Sequence, residues 1–164
     1  MFGRCGCIAG HGRSLGHRRS VRRCAVPEQI LTGGCLCGSV RYESAAPVSD
    51  AAFCHCRSCR RATGAAAVPW TTVARSGLRW SGTPPAEFAS SPGVTRSFCA
   101  RCGTPLAYRS EASPGTLDLT LGSLDDPDAV APLDHIWTED SPRWDRPADG
   151  RPQYARTRPV ATPT

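Results

Sequence analysis

The sequence predicts a mainly β fold with two metal sites, and three observations lead to this prediction. Its apolar segments are short and are broken by Gly, Pro, Ser and Asp. None of them has the apolar spacing of a helix longer than about three turns. Seven of the ten cysteines fall in three tight clusters typical of metal sites. With 164 residues, of which 40% are hydrophobic, the chain is expected to form one domain with a modest core that metal would reinforce.

Six segments are predicted to form strands from their β-prone composition and the turn residues that bound them. They are, in chain order, Ser39–Glu43, Ala65–Val73, Leu78–Trp80, Thr95–Phe98, Leu106–Tyr108 and Thr116–Leu121. In the last of these every second residue is a leucine, which is the period of two of a half-buried strand. A short helical turn is predicted over Arg57–Thr63 and ends at Gly64.

The cysteine clusters have the spacing of metal ligands. They are Cys35-x-Cys37, Cys54-x-Cys56-x-x-Cys59 and Cys99-x-x-Cys102. A structural zinc is closed by four protein ligands, whereas a catalytic zinc keeps three and leaves one position open. The middle cluster offers three thiolates in a short segment and is therefore the candidate open site. The two outer pairs, joined on one ion, form the candidate closed site, so two zinc ions per chain are expected.

Disulfides and buried apolar thiols are the competing interpretations of these cysteines. C-x-C neighbours rarely bridge one another because the geometry is strained, and disulfide frameworks belong to secreted chains. Residues 1–30 contain six arginines but no continuous apolar stretch of the signal-peptide kind, so we expect a reduced, cytoplasmic protein. Cys5, Cys7 and Cys24 lie in a Gly- and Arg-rich segment and are expected to have no metal role.

The positive charge is concentrated near the start of the chain. The formal net charge is +6, and residues 1–30 carry six arginines against Glu28 alone, so residues 31–164 are nearly neutral. An arginine-rich arm can bind nucleic acid or act as a targeting segment, but no aromatic residue beyond Phe2 could stack on bases, which favours a disordered extension. The predicted organisation is an extension over 1–30, a zinc domain over 31–149 and a polar tail over 150–164. No apolar run is long enough to span a membrane.

Several motifs, taken together, resemble a known family. They are Gly33–Tyr42, Cys54–Arg61, Phe98–Leu106 and Gly122–Pro127, followed by His135-Ile136-Trp137 and Trp144. In this order they resemble the glutathione-dependent formaldehyde-activating enzyme (GFA) family with its CENP-V/GFA domain. The resemblance implies a mainly β, Mss4-like fold of small antiparallel sheets around two zinc sites. It assigns a structural zinc to Cys35, Cys37, Cys99 and Cys102 and a catalytic zinc to Cys54, Cys56 and Cys59.

The resemblance also implies a reaction, the condensation of formaldehyde with a thiol to an S-hydroxymethyl adduct, or its reverse. The protein is thus expected to be a zinc-dependent carbon–sulfur lyase that takes a thiol such as glutathione. A metal with an open position lowers the pKa of a bound thiol and presents the thiolate, which is the nucleophile. Arg57, Arg60 and Arg61 follow the middle cluster and could hold the carboxylates of an acidic thiol. A solvated basic turn is the alternative reading of these arginines.

Further polar and aromatic residues lie near the motifs. His135 and Trp137 are candidates for the wall of a substrate pocket, with core packing as the alternative. His55 lies between two cluster cysteines, and in an extended C-x-C segment its side chain points away from them, which favours an outer-shell or surface position. Asp125 and Asp126 precede a proline and are expected to form a turn.

A non-catalytic zinc module whose cysteines only build a binding surface is the alternative to an enzyme. The cluster of three cysteines favours the enzyme, because a purely structural site would normally be completed to four ligands. Nucleic-acid binding through the arginine-rich arm is a third and weaker interpretation.

Overall fold

The computed structural model describes residues 30–45 and 50–159, and in this part of the chain the structure is mainly β. The strands are β1 (Leu31–Gly34), β2 (Val40–Ser44), β3 (Asp50–Cys54), β4 (Val68–Ala74), β5 (Leu78–Gly82), β6 (Ala86–Ser91), β7 (Val94–Phe98), β8 (Pro105–Ser110), β9 (Thr116–Thr120) and β10 (Asp134–Ile136). The helix α1 is Arg57–Thr63. Short 3-10 turns cover Arg75–Gly77, Leu121–Ser123 and Thr138–Asp140. The predicted extension, with Cys5, Cys7 and Cys24, lies outside the described residues apart from Ile30.

The strands form two sheets. The small sheet has the order β1-β2-β5, and the large sheet has the order β10-β3-β4-β9-β8-β7-β6. Their pairs are antiparallel except for β10 with β3, which run parallel at one edge of the large sheet. The mainly β class with two cysteine clusters is thus confirmed, and its sheets are one antiparallel sheet of three strands and one mixed sheet of seven.

The elements predicted from sequence are present with ends shifted by at most three residues. Helix α1 has the predicted bounds and ends at Gly64, whose φ of 73° lies in the left-handed region that glycine adopts without steric cost. Strands β1, β3, β6 and β10 were not predicted. Half of β1 is glycine, and β10 has three residues, so neither shows a readable alternation.

The main core lies between the two sheets. Val40 and Tyr42 from β2 meet Val73 from β4 and Leu119 from β9, all of them nearly inaccessible to solvent. Leu119 therefore occupies the buried face that its alternating strand predicts. Burying each such aliphatic side chain contributes about 1.5–3 kcal/mol. A smaller apolar cluster surrounds the middle group of cysteines.

The described end of the chain lies along β10. His135 accepts a backbone hydrogen bond from Tyr154 (2.8 Å) and donates one to Pro152 (2.9 Å). The Nη2 atom of Arg158 donates to Asp134 at 2.8 Å. The sequence did not indicate these contacts, because the segment contains no apolar pattern and is held through polar groups.

Candidate metal centres and the adjoining cavity

Two tight turns bring four cysteines together. In the first, the backbone N–H of Gly38 donates to the carbonyl of Cys35 at 2.9 Å; in the second, Gly103 donates to Cys99 at 2.8 Å. Both glycines have positive φ, 74° and 77°, which lets each chain reverse directly after its cysteine. The Sγ atoms that come together lie within 4.8 Å of one another and belong to Cys35, Cys37, Cys99 and Cys102.

The spacing of these sulfur atoms suits a tetrahedral zinc ion. The Sγ atom of Cys37 lies 3.5 Å from that of Cys35 and 3.8 Å from that of Cys99. Zinc–sulfur bonds of about 2.3 Å set the sulfurs of a tetrahedron about 3.8 Å apart. Hydrogen bonds from the side chain and backbone of Thr104 lower the pKa of Cys102 to about 5, which favours the thiolate that a metal binds. The four-cysteine cluster therefore fits a metal ion closed by four protein ligands.

The second cluster is built where β3 leads into α1. Cys54 ends β3, Cys56 is the N-cap of the helix, and Cys59 lies within its first turn. The Sγ of Cys56 accepts a hydrogen bond from the backbone N–H of Cys59 at 3.3 Å. All three Sγ atoms lie within 4.8 Å of one another, and Cys54 and Cys59 are buried.

The three thiols of this cluster shift one another's pKa values. Hydrogen bonds from Cys54 and Cys59 lower the pKa of Cys56 to about 2, and the proximity of Cys56 raises the pKa of Cys54. Three thiolates this close repel one another unless a cation neutralises them. The donor set of the three-cysteine cluster therefore also fits a metal ion, with three protein ligands.

A cavity of about 510 Å³ opens beside the three-cysteine cluster. One of its walls is a row of polar and aromatic side chains, one from each of five neighbouring strands of the large sheet. In order from β7 to β3, they are Arg96, Tyr108, Asp118, Thr72 and Asp50. Two further aromatic residues, Trp70 and Trp137, also line the cavity. The three-cysteine cluster thus faces a partly enclosed space with both apolar and charged walls.

Arg96 is the buried cation of this wall, with 9% of its surface exposed. Its guanidinium lies 5.1 Å from the centre of the Tyr108 ring. The Nη2 atom donates to the Ser58 hydroxyl at 3.0 Å and lies 3.7 Å from the Sγ of Cys59. Arg96 therefore connects the cavity wall to α1 and to the cysteine cluster.

The arginines singled out from sequence lie in different places. Arg57 lines the cavity, and its backbone N–H donates to Asp140 at 3.1 Å. Arg60 lies outside this lining, and its Nε donates to the backbone carbonyl of His55 at 3.1 Å. Arg61 lines a second cavity of about 670 Å³, which shares Ser58, Trp70 and Arg96 with the first. Among these three, only Arg57 shares the cavity with the cysteine cluster.

The histidine and the tryptophan singled out from sequence, His135 and Trp137, also lie in different places. Trp137 lines the cavity, in the left-handed conformation with φ of 59°. His135 is buried outside the lining, with Nδ1 2.9 Å from Nε2 of His55 and Nε2 3.1 Å from the Asp149 carboxylate. His55 is itself 3% exposed, so it lies behind the cysteines and not at the surface.

The predicted turn at Asp125 and Asp126 is confirmed, since the carboxylate of Asp126 accepts the backbone N–H of Asp128 at 3.0 Å. Asp125 forms an ion pair with Arg41.

Sequence reasoning missed Arg96, Tyr108 and Trp70. Arg96 and Tyr108 lie on strands remote from the middle cysteine cluster in the chain, and only the pairing of β7, β8, β9 and β4 brings them to it. Trp70 lies on β4, the strand after α1, and reaches the cluster because β4 pairs with β3. A weak signal exists for Arg96, which shares a strand face with Phe98 directly before Cys99. A charged residue at such a position indicates a polar environment inside the fold.

Comparisons with known proteins add to this geometry. Residues 30–140 match the model of a family described as glutathione-dependent formaldehyde-activating enzyme. Among solved structures, a crystal structure of a Rhodobacter sphaeroides protein matches with a TM-score of 0.52 and 21% identity, covering 64% of this chain and 99% of that chain. At this identity the likeness shows a shared fold alone. The search of curated proteins gave no match. In the described part of the chain, no helix is long and apolar enough to cross a membrane.

Proposed function

Because this chain belongs to the glutathione-dependent formaldehyde-activating enzyme family, we propose that it is a zinc-dependent carbon–sulfur lyase acting on a thiol–aldehyde adduct. The reaction joins formaldehyde and a thiol, such as glutathione or a related compound, to an S-hydroxymethyl adduct, or reverses that step. The observation that carries the proposal is the cluster of three cysteines opening on a cavity of about 510 Å³.

The two clusters are proposed to have unequal roles. Cys35, Cys37, Cys99 and Cys102 would hold a structural zinc, whereas Cys54, Cys56 and Cys59 would hold a catalytic one. Zinc at the second site would supply an open coordination position and a lowered pKa for the substrate thiol. This division follows from the number of sulfur donors in each cluster.

Side chains that line the cavity would orient the reactants and limit the access of water to them. Trp70, Tyr108 and Trp137 would give the cavity apolar faces that reduce the number of water molecules around the reacting atoms, while the open side of the cavity admits the water that exchanges protons. The thiol releases its proton to water, its sulfur bonds to the carbonyl carbon, and the oxygen that receives the carbonyl electron pair takes a proton from water. The reverse reaction breaks the carbon–sulfur bond and returns both protons.

The test must separate catalysis from the unaided combination of formaldehyde with thiols. Exchange between free and adducted thiol would be followed by NMR with wild type and Cys56→Ser at equal concentration. We expect a rate excess that saturates with thiol in the wild type and is absent from the variant. Equal exchange rates for the wild type and Cys56→Ser, found with several thiols, would reject the proposed enzyme activity. They would favour a zinc module that binds a partner.

A further inference from the structure

Arg96 is a buried cation that lacks an acidic partner. Among the described residues, no carboxylate forms an ion pair with it. Buried charges are normally paired, because removing a charge from water is costly. Arg158, which lines the same cavity, follows this rule through Asp50 and Asp134. In the described part of the chain, Arg96 is therefore the buried arginine of this cavity that has no paired carboxylate.

The hydrogen-bonding capacity of Arg96 is only partly used. A guanidinium has five N–H donors, and here the contacts to Ser58 and Cys59 both use Nη2. The Nε atom is buried and has no hydrogen-bond partner within the described structure. The central carbon of the guanidinium lies over the ring of Tyr108, 5.1 Å from its centre, which is the distance of a cation–π contact.

We propose that Arg96 binds a carboxylate of the thiol substrate; this inference rests on the function proposed above. A planar fork of N–H donors matches the two oxygens of a carboxylate, the anionic group that a thiol such as glutathione carries. Arg96 lines the cavity and lies 3.7 Å from the sulfur of Cys59, so a carboxylate on it stays within reach of a thiol at the cysteine cluster. Arg60 and Arg61 do not line this cavity, whereas Arg57 and Arg158 do. Arg158 is already paired with Asp50 and Asp134, and Arg57 is exposed.

A competing explanation is that Arg96 only neutralises the thiolates of the cysteine cluster. In that case its loss would weaken metal binding and affect all thiols alike. Recognition of a carboxylate instead predicts a selective loss, confined to thiols that carry one.

The experiment compares two thiols of equal length, 3-mercaptopropionate and its neutral amide, on the zinc-loaded full chain. Binding would be followed through the fluorescence of Trp70 and Trp137, which line the cavity. Arg96→Met should weaken binding of the carboxylate about ten- to a hundredfold, as for loss of a charged hydrogen bond. The affinity for the amide should change little, and so should the zinc content.

Two further variants keep the test decisive. Arg60→Met removes a cation of α1 that does not line the cavity and should leave the preference for the carboxylate intact. If Arg96→Met does not fold, Arg96→Lys retains the charge but loses the fork, and it should reduce that preference while binding the amide normally.

Equal weakening of both thiols by the Arg96 variants, loss of zinc, or an unchanged preference would overturn the assignment. The formaldehyde exchange assay separates this result from the fate of the proposed function. If the preference for the carboxylate depends on Arg96 but no exchange is catalysed, Arg96 is the carboxylate site and the proposed enzyme activity is wrong. If exchange is catalysed without such a preference, the enzyme activity stands and the role of Arg96 is wrong. A wild type that binds neither thiol would overturn both.

Discussion

At the scale of single residues, Cys56 combines two tasks. Its sulfur is the N-cap of α1, accepting the backbone N–H of Cys59, and is also one of three candidate metal ligands. Serine is among the preferred N-cap residues, so Cys56→Ser preserves the helix start while removing a sulfur donor. Cys99 differs, because it is 1% exposed and belongs to the main core.

This contrast gives the first prediction. Cys56→Ser should remain folded with one zinc less, whereas Cys99→Ser should unfold or aggregate, since structural zinc binding contributes on the order of ten kcal/mol to folding. Zinc analysis and thermal unfolding of the two variants measure the difference. Collapse of both to the same extent would contradict the unequal roles.

The same scale shows which site residues a sequence can predict. The cysteines were found because each cluster has its ligands at a local, recognisable spacing. Arg96 and Tyr108 were missed because only the pairing register of β7 and β8 makes them neighbours. Arg60 and Arg61 are next to a ligand in the chain, but the turn of α1 directs them away from the cavity.

At the scale of elements, β1 depends on a glycine for close packing. A Cβ at Gly33 would lie 2.3 Å from the Tyr42 hydroxyl and 2.4 Å from the backbone oxygen of Ser123. Tyr42 and Ser123 share a buried hydrogen bond of 2.7 Å, so neither can move without losing it. The small sheet can therefore pack closely against the turn that follows β9 because Gly33 has no side chain.

We expect Gly33→Ala to lower the free energy of unfolding by about 1–3 kcal/mol, the usual cost of overpacking. Gly122→Ala is the matched control, because a Cβ there meets no atom within 4 Å. Chemical denaturation of both variants gives the comparison. A Gly33→Ala protein as stable as the control would show that β1 packs differently.

Elements were predictable where local signals were strong. Helix α1 was predicted by its glycine stop, and β9 by its alternating leucines. The short strand β10 carries no such signal and exists because it pairs with β3 and with the chain around Gln153. Its parallel direction is likewise set by long-range connection and not by composition.

At the scale of the whole molecule, polar contacts hold the end of the described chain. Arg158 connects Asp134 on β10 with Asp50 on β3, and Asp134 is buried. Arg158→Met should lower stability by about 1–3 kcal/mol because it leaves a buried carboxylate without its partner. Arg156→Met removes an exposed arginine paired with Glu139 and should change stability little. Similar melting temperatures for the two variants would show that the Arg158 contacts do not stabilise the fold.

The predicted extension at the start of the chain gives a further expectation at this scale. Deleting Met1 to Gln29 should change neither the zinc content nor the thermal stability, because that segment has no core-forming pattern and its cysteines are not counted as ligands. Loss of metal on truncation would mean that Cys5, Cys7 or Cys24 takes part in a metal site.

The central claim is that the chain holds one closed and one open zinc site, and X-ray absorption at the zinc edge, combined with metal analysis, tests it most directly. Seven cysteines shared by two ions predict about 3.5 sulfur ligands per zinc, rising to about 4 when a substrate thiol is added. Metal analysis should find two zinc ions per chain. One zinc per chain, or a sulfur count that does not change with added thiol, would contradict the account.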